Sequence, residues 1–423
     1  MHGRVDGDSM KDLIIKNVTV VDGRGGEPFV ADIHIARGII DEIAGARGDV
    51  RGENFTRIID GAGLIAAPGF VDIHVHFRDP GFTEKEDIVS GGEAAAAGGF
   101  TTVCCMPNTS PAIHEPDVLL DIDRRARAAG KVNLLAVSAL TRGQAGTELV
   151  DFAAMDAAAT RCRELTGHGV AGVSEDGKTL DDEGLMRKVL SEAGRLGLPV
   201  MDHAEPEVEI TKRNIRFARE TAAHIHIQHI STKAAVDALR DAKKELPNIT
   251  CETAPHYFTL TSEALSRLGP NAKMNPPLKG ERDREAVLEG IADGTIDCIA
   301  TDHAPHTAAE KARPVNEAPF GIIGLETCFP LAYTRLVKTG ILTLPQLIDK
   351  MSAAPARLIG LSRGRLSVGK AADIVLIDPS CEGRIDSAGF RSKARNTPFD
   401  GMPVSGRITH TLLNGKITYE RTL

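Results

Sequence analysis

The chain has 423 residues, an ordinary apolar share of 42%, no tryptophan and a formal net charge of −8. This length allows one large domain and a smaller one. The net negative charge argues against a nucleic-acid-binding protein, which would usually carry an excess of lysine and arginine. No apolar run reaches membrane-spanning length, and the first ten residues lack the apolar core of a signal peptide. The seven cysteines include no Cys-x-x-Cys pair, so we expect reduced thiols, a cytoplasmic protein, and neither nucleic-acid nor membrane partners.

The two ends of the chain share short β-rich runs separated by glycine turns, which predict all-β structure. The N-terminal end contains LIIKNVTVVDG, ADIHIARGIIDEIA and RIIDGAGLIAAPG, and the C-terminal end contains GRLSVGKAADIVLIDP and GRITHTLLNGKITYE. We expect these ends to pair into one small discontinuous β-sandwich domain, residues 11–66 and 364–423. The first nine residues precede the first run, and we expect them to have no role in the fold.

Between these ends, residues 67–363 alternate short apolar runs with Ala-rich amphipathic segments, a pattern typical of βαβ units. Eight runs are candidate strands: FVDIHVH, TTVCCM, VNLLAVS, GVAGVS, LPVMDH, HIHIQH, NITCET and TIDCIA. Helical segments are predicted between them, including 115–129, 181–196, 232–244 and 283–292. The pattern favours an α/β fold with a (β/α)8 TIM-like barrel. A doubly wound sheet would usually carry a Gly-rich phosphate loop where this chain has HFRDPG.

Polar side chains that can bind metals recur where the predicted strands end, which is the catalytic face of a barrel. The first strand ends with His74 and His76, which share a face because residues two apart in a strand point to the same side. The later strand ends and the loops after them supply further candidates: Asn108, Glu175, Asp176, His203, His229, Asp302, His303 and His306. Nitrogen and oxygen ligands without a thiolate suit zinc or a similar divalent ion.

A second His-x-His pair, His224 and His226, begins the sixth predicted strand. An isolated pair of this kind is more often packed inside a fold than bound to a metal. His229 ends the same strand, directly before a helix N-cap signal, and is the better ligand candidate. We therefore expect His224 and His226 to pack inside the barrel, and we interpret His303 as a structural histidine.

Taken in order, the motifs VDIHVHFRDPG, MPNT, MDHAE, QHIST, NPPL and TDHAPH resemble the dihydroorotases of the amidohydrolase superfamily, of the long-chain type. The resemblance runs from about Met10 to the C-terminus; Arg78, Asn108 and the TDHAPH box narrow it from the superfamily to dihydroorotase. It implies the reversible cyclisation of the small-molecule substrate N-carbamoyl-L-aspartate to L-dihydroorotate in de novo pyrimidine biosynthesis. It leaves open a homodimer or a complex with aspartate transcarbamoylase.

The resemblance also implies Zn²⁺, one or two ions per chain, held by six side chains: His74, His76, Asp176, His203, His229 and Asp302. The superfamily often bridges two metals with a carboxylated lysine on strand four, where this chain reads SEDGK. Asp176 matches the ligand aspartate of the Asp-Asp-Gly motif in long-chain dihydroorotases, and Glu175 replaces the first aspartate. Lys178 lies beyond the strand, and we do not expect it to be the bridge.

The predicted chemistry suits these residues. Hydrolysis of a cyclic amide needs a strong nucleophile at neutral pH, and a bound metal lowers the pKa of water to about 7. Asp302 is placed to accept a proton from that water and to pass it to the leaving ring nitrogen. Arg78 can hold the substrate carboxylate in a forked pair, although a local ion pair with Asp79 is the alternative. By resemblance, the other substrate contacts are Asn108, Asn275, His306, Phe320 and Gly321.

Two other functions stay open. The sister cyclic amidases allantoinase and dihydropyrimidinase resemble this fold but normally use the lysine bridge, and dihydropyrimidinase substrates lack the carboxylate that Arg78 would bind. A non-catalytic dihydroorotase-like scaffold for aspartate transcarbamoylase would have lost metal histidines that this chain retains. The polar segment 307–319, TAAEKARPVNEAP, is predicted to be an exposed loop that acts as a lid over the site.

Overall fold

The N-terminal part of the chain forms five strands around a central β1. A computed structural model describes residues 11–45, 55–158 and 161–421, and the expectation for the first nine residues lies outside these ranges. The strands are β1 (Lys11–Val20), β2 (Phe29–Ala36), β3 (Ile39–Gly45), β4 (Phe55–Asp60) and β5 (Ile65–Pro68). β1 pairs antiparallel with β2 and parallel with β4 and β5, while β3 extends the sheet from β2.

The next strands close into the predicted barrel. They are β6 (Phe70–Val75), β7 (Phe100–Cys105), β8 (Asn133–Ala136), β9 (Ser138–Ala139), β10 (Val173–Ser174), β11 (Val200–Asp202), β12 (Ile225–Ile227), β13 (Ile249–Thr253) and β14 (Cys298–Ile299). The neighbouring pairs are parallel, and β8 and β9 are halves of one strand on either side of Val137. The amide of His76 donates to the carbonyl of His303 at 2.9 Å, which joins the first strand to the eighth.

Helices surround the barrel and connect its strands. Within the described ranges they are α1 (Ile88–Ala97), α2 (Pro116–Ala129), α3 (Phe152–Ala157), α4 (Arg161–Thr166), α5 (Glu183–Leu196), α6 (Glu207–Glu220), α7 (Lys233–Ala242), α8 (Pro255–Thr259), α9 (Glu263–Leu268), α10 (Glu281–Ala292), α11 (Ala308–Lys311), α12 (Leu325–Ala332), α13 (Leu344–Ile348) and α14 (Ala354–Leu358). Short 3-10 turns lie at Arg142–Gln144, Gly269–Ala272 and Ser387–Gly389, and π-helical turns at Tyr333–Val337 and Asp349–Ala353.

Capping residues in the sequence mark the ends of the helices, as α5 illustrates. The Asp182 side chain accepts a hydrogen bond from the amide of Leu185 and caps α5, which ends at Gly197 in the left-handed region. The apolar stripe of α5 faces the barrel and is buried: Met186, Val189, Leu190 and Ala193. The predicted segments 115–129, 181–196, 232–244 and 283–292 match α2, α5, α7 and α10 to within two residues at each end. No helix among the described residues combines the length and apolar character needed to cross a bilayer.

The C-terminal strands complete the sheet that the N-terminal strands begin. They are β15 (Ile374–Arg384), β16 (Pro403–Leu413) and β17 (Lys416–Glu420), and β15 pairs antiparallel with β5. The sheet order is β17-β16-β15-β5-β1-β2-β3, with β4 beside β1. Ile33 in β2 and Ile374 in β15 share one apolar core although their strands are not adjacent, so the sheet folds over itself into the predicted sandwich. The domain limits at 66/67 and 363/364 stay a prediction, and β5 crosses the first.

Candidate active site

The six predicted metal ligands meet at the carboxyl end of the barrel and are all buried: His74, His76, Asp176, His203, His229 and Asp302. His74 Nε2 lies 3.2 Å from Asp176 Oδ1 and 3.6 Å from Asp302 Oδ1. His76 Nε2 lies 3.2 Å from Asp302 Oδ1 and 3.6 Å from Asp176 Oδ2. Two imidazole nitrogens therefore face two carboxylates across one small space.

Asp176 also faces the other two histidines. Its Oδ1 lies 3.4 Å from His203 Nδ1, and that nitrogen lies 2.9 Å from His229 Nε2. Asp176 is thus shared by a group containing His74 and His76 and a group containing His203 and His229. A carboxylate in this position suits the bridge between two ions.

The electrostatics of this ligand cluster fit a divalent cation. Burial alone would raise the pKa of Asp302 and of Asp176, but the histidines around them hold both values below the usual range, so both carboxylates are ionised. Burial and the neighbouring His203 lower the pKa of His229 to about 3, which keeps its ring neutral. Burial also opposes protonation of His74, yet Asp176 raises its pKa well above the ordinary value. Two ionised carboxylates and the neutral His229 ring therefore face one another, and these are groups that a divalent cation binds.

Unpaired nitrogen atoms support the same conclusion. Nε2 of His74 and Nδ1 of His229 are buried and have no hydrogen-bond partner among the described residues. A buried polar atom without a partner costs free energy, and coordination of an ion would remove that cost. Neutral imidazole and ionised carboxylate are the ligand types that Zn²⁺ accepts.

The two residues flanking the Asp176 turn point away from the ligand cluster. The Glu175 carboxylate accepts hydrogen bonds from the amides of Leu140 at 3.0 Å and Thr141 at 3.1 Å, and so anchors the chain that follows β9. Lys178 Nζ donates to the carbonyl of Gln144 at 2.8 Å. In this structure an aspartate, and no lysine, lies between the two histidine groups.

A cavity of about 340 Å³ opens above the ligand cluster, and all the predicted substrate contacts line it: Arg78, Asn108, Asn275, His306, Phe320 and Gly321. Two of them also touch metal-ligand candidates. Asn108 Oδ1 lies 2.9 Å from His76 Nδ1, and its Nδ2 donates to Asp176 Oδ2 at 3.1 Å. Asn275 Nδ2 lies 3.1 Å from His203 Nε2. Both amides are therefore fixed at the boundary between ligand cluster and substrate cavity.

Arg78 is half-buried at the wall of this cavity. Among the described residues its guanidinium makes one hydrogen bond, from Nε to the carbonyl of Pro305 at 3.4 Å. Asp79 pairs instead with Arg125 and accepts from the amide of Ile88 at 3.2 Å. The alternative of a local Arg78–Asp79 ion pair is wrong, because Arg125 occupies that carboxylate. The remaining guanidinium nitrogens are available to an anion in the cavity.

The loop after α11 supplies the other wall. His306 Nε2 lies 2.7 Å from the carbonyl oxygen of Phe320. Gly321 has a φ of +124°, and a Cβ there would lie 2.7 Å from the Cβ of Ala304, so only glycine fits. Lys311 Nζ donates to the carbonyls of Gly321 at 2.8 Å and Pro319 at 3.0 Å. Residues 312–317 are exposed, as expected for this segment, whereas Lys311 is buried. Its action as a lid stays a prediction.

Several site residues adopt a backbone conformation that side chains rarely take. Arg78, His229 and Asp302 have φ values of 60°, 36° and 48° in the left-handed region. Such conformations cost of the order of 1 kcal/mol or more and persist where the surrounding fold imposes them. They lie at the ends of three different barrel strands and turn these side chains toward the site.

One buried residue at this site was not predicted from the sequence. Glu252 lies in β13, one of the two barrel strands for which we singled out no candidate, and its Oε1 lies 2.7 Å from His74 Nδ1. The sequence feature that could have identified Glu252 is that it is the one charged residue of its strand, ITCET, near the carboxyl end. His303, interpreted as structural, packs away from the cavity, with Nδ1 accepting from the amide of Gly324 at 3.2 Å.

Residues 65–418 match the Amidohydrolase family. The dihydroorotase of Trichlorobacter lovleyi is 41% identical over 96% of this chain and 99% of its own length, and that of Geobacter metallireducens is 42% identical over 97% and 100%. The L-hydantoinase of Arthrobacter aurescens has a TM-score of 0.87 at 26% identity, over 98% of this chain and 97% of its own. A dihydropyrimidinase from Brevibacillus agri shares the fold, with a TM-score of 0.84 at 23% identity over 96% and 95%. The chain belongs to the amidohydrolase family, and its relatives group it with the dihydroorotases.

Proposed function

We propose that the protein is a dihydroorotase, a zinc-dependent cyclic amidohydrolase that interconverts N-carbamoyl-L-aspartate and L-dihydroorotate in de novo pyrimidine biosynthesis. The observation that carries this proposal is Arg78, whose guanidinium lines the cavity directly above the ligand cluster. A cation at that place selects a substrate with a carboxylate beside the hydrolysable ring amide. The full-length relatives named dihydroorotase support the same substrate.

The ligand cluster would hold one or two divalent ions. His74, His76 and Asp302 would hold the first, His203 and His229 would hold the second, and Asp176 would lie between them. An ion bound there supplies a Lewis acid and lowers the pKa of a bound water to about 7.

The protein's own residues then bind the substrate and move the proton. Arg78 takes the substrate carboxylate in a forked pair, and Asn108 and His306 line the cavity beside it. Asn275 and the backbone at Phe320 and Gly321 hold the ring. In ring opening, Asp302 accepts a proton from the attacking water at Oδ1 or Oδ2 and returns it to the ring nitrogen as the amide bond breaks. Cyclisation runs the same transfers in reverse.

Two rival functions are weaker on specific observations. Hydantoinases and dihydropyrimidinases share the fold, as the superpositions show. However, the residue between the two histidine groups of this chain is Asp176, whereas dihydropyrimidinases and allantoinases normally have a lysine there. Dihydropyrimidinase substrates also lack a carboxylate that Arg78 could bind. A non-catalytic scaffold is disfavoured because all six ligand candidates are present and converge.

The cellular setting belongs to the proposal as well. The seven cysteines are free and six of them are buried, which suits a reducing cytoplasm. The partner is a small-molecule substrate. A homodimer or a complex with aspartate transcarbamoylase stays a prediction, which size-exclusion chromatography with light scattering, alone and with the transcarbamoylase, would test.

Substrate profiling tests the function directly. Purified protein loaded with zinc should hydrolyse L-dihydroorotate and cyclise N-carbamoyl-L-aspartate, with far lower rates on dihydrouracil, hydantoin and allantoin. His74→Ala and His76→Ala should abolish turnover and reduce zinc content while the chain still folds. Turnover of dihydrouracil or allantoin without dihydroorotate would overturn the assignment, and full activity in either alanine variant would overturn the metal site.

A further inference from the structure

The proposed function uses neither residue of the second His-x-His pair; His226 packs inside the barrel as expected, whereas His224 is half-buried. His224 directly precedes β12, and His226 lies within it and is fully buried. Burying a polar ring is unfavourable unless each nitrogen finds a partner. One of the side chains that contact this pair also contacts His74, one of the metal-ligand candidates.

Hydrogen-bond distances connect His224 to His74 through three intervening side chains. Thr250 Oγ1 lies 2.8 Å from His224 Nε2 and 2.9 Å from His226 Nδ1. His226 Nε2 lies 3.3 Å from Glu252 Oε2, and Glu252 Oε1 lies 2.7 Å from His74 Nδ1. Glu252 therefore has one carboxylate oxygen on a buried structural histidine and the other on a metal-ligand candidate.

One assignment of protons satisfies the whole chain of contacts. Glu252 Oε1 accepts from His74 Nδ1 at 2.7 Å, and Oε2 lies 3.3 Å from His226 Nε2, an ion-pair distance without hydrogen-bond geometry. His226 accepts at Nδ1 from the Thr250 hydroxyl, whose oxygen accepts from His224 Nε2, so the proton of His226 lies on Nε2 and faces Glu252. When its ring is neutral, as a metal ligand must be, His74 donates from Nδ1 to Glu252, which leaves the lone pair on Nε2.

The Nε2 atom of His74 is the one that faces Asp176 and Asp302, at 3.2 Å and 3.6 Å. Gln228 Nε2 also lies 3.3 Å from His74 Nδ1, but the carboxylate contact is 0.6 Å shorter (3.3 against 2.7 Å) and joins an anion to a donor. The ring is therefore held in the tautomer that a metal ligand requires.

We propose that Glu252, held in place by His226, is a positioning residue that orients His74 and sets its tautomer, so that Nε2 is presented to the metal. A carboxylate on the distal nitrogen of a ligating histidine makes the ring more basic and fixes its direction. The inference rests on the metal site of the proposed function, and it gives the second His-x-His pair a role as the support of this carboxylate.

Potential ligand atoms of His226, Glu252 and Cys298 also lie within 4.8 Å of one another. Oε1 of Glu252 accepts from His74 Nδ1, so this group and the ligand cluster share one carboxylate. The inference concerns that shared contact.

Zinc affinity without substrate tests the inference. In Glu252→Gln the amide cannot accept as strongly from His74, and we expect zinc to bind about tenfold to a hundredfold more weakly in competition with a chromogenic chelator. The matched control is Glu86→Gln. Glu86 is equally buried, and its Oε2 lies 3.4 Å from Nε2 of His303, which is outside the ligand set. This control should lose thermal stability but keep the affinity of the unmodified protein.

His226→Asn provides an independent variant that leaves Glu252 in place. It should weaken zinc binding about threefold or more on its own. Added to Glu252→Gln it should cause no further loss of affinity, because both substitutions act through one contact. Unchanged affinity in folded Glu252→Gln would overturn the inference, as would an equal loss in Glu86→Gln. If Glu252→Gln does not fold, unchanged affinity in His226→Asn would overturn it. Absence of zinc binding by the unmodified protein would overturn the metal site and this inference together, whereas the other outcomes leave the proposed function standing.

Discussion

Arg78 and Asp79 show how neighbouring charged residues in one turn take different roles. Asp79 is buried and paired with Arg125, while Arg78 turns into the cavity with a φ of 60°. The sequence could not distinguish a cavity-facing arginine from a local ion pair, because the competing cation lies 46 residues away on α2. Motif resemblance favoured Arg78 as the cavity residue, and the pairing of Asp79 with Arg125 explains why its guanidinium forms no local ion pair.

Substitution of Arg78 tests the substrate carboxylate. Arg78→Lys keeps the charge and loses the fork, so kcat/KM for dihydroorotate should fall about tenfold or more, a loss above about 1.4 kcal/mol. The measurement is steady-state hydrolysis of dihydroorotate. Arg125→Lys is the matched control, because it touches the same turn without lining the cavity, and it should leave kcat/KM within about twofold. Unchanged dihydroorotate turnover in Arg78→Met would contradict the proposal that Arg78 binds the substrate carboxylate.

Asp302 is expected to act both as a metal ligand and as the proton carrier. The alternative role as a helix cap is wrong, because the next helix, α11, begins six residues later and is capped by Thr307. Asp302→Asn is nearly isosteric but cannot carry a proton, so kcat should fall by several orders of magnitude in both directions. The melting temperature, measured in parallel, should change little. A destabilised variant that remains active would remove Asp302 from the mechanism.

The pH dependence of the unmodified enzyme follows from the same carboxylate. Ring opening needs Asp302 ionised, so its rate should fall as pH drops toward the pKa of this group. Cyclisation needs the protonated form, so its rate should rise toward lower pH. Since the surrounding histidines hold the pKa of Asp302 below its ordinary range, the turning point should lie on the acid side of a free aspartate. Parallel profiles in the two directions would contradict this role.

At the scale of elements, the helices that periodicity predicted are those with a long apolar stripe, such as α2 and α5. The short elements around the cavity were not predicted. α11 has only four residues, and it is fixed by Lys311, whose partners are backbone carbonyls from two loops. Lysine is usually exposed, so nothing local predicts its burial. The long-range carbonyl contacts that make it structural arise only in the folded chain.

Lys311 therefore offers a test of how the wall of the cavity is held. Lys311→Met keeps the apolar stem and removes the donors to Gly321 and Pro319, and hydrogen bonds to charged groups contribute about 1.5–3 kcal/mol. We expect the KM for dihydroorotate to rise about fivefold or more, with a smaller change in kcat, because the proposed role of this loop is to hold the ring and not to move the proton. Arg313→Met, on the exposed part of the same segment, is the control. An unchanged KM in Lys311→Met would show that the loop is held by other contacts.

At the scale of the whole molecule, the ligand cluster draws on five barrel strands that are far apart in sequence. The eight strands were predicted because each is a short apolar run followed by polar residues, which is the chemistry of parallel strands buried on both sides. The pairing of the two chain ends was predicted because both contain short β-rich runs separated by glycine turns. Glu252 was not predicted, because its position at the site depends on a contact with His74, which lies 178 residues away in the sequence and across the barrel. Local patterns indicate strands and their ends, and they do not indicate which side chains meet between strands.

The junction between barrel and terminal sheet contains an acidic group that links stability to pH. Glu326 lies in the first turn of α12, and its carboxylate accepts from the amides of Arg391 at 2.8 Å and Ser392 at 3.1 Å. It lines a cavity of about 490 Å³ between the barrel and strands β15 and β16. Burial raises its pKa from 4.5 to about 7 despite those amides. The folded protein therefore holds a proton on Glu326 that the unfolded chain releases at lower pH.

This difference predicts the sign of a stability change. Between about pH 4.5 and pH 7 the folded state binds more protons at this site than the unfolded state, so the contribution of Glu326 to stability falls as pH rises. The loss reaches at most about 3 kcal/mol, at 1.36 kcal/mol per pKa unit, and is smaller where water reaches the carboxylate. Glu326→Gln cannot ionise, so the melting temperature of the unmodified protein minus that of this variant should decrease steadily from pH 5 to pH 7.5. Other titrating groups cancel in that difference. Glu281→Gln, at an exposed position on α10, should show no such decrease, and a difference for Glu326→Gln that stays constant or grows with pH would show that the carboxylate is ionised throughout.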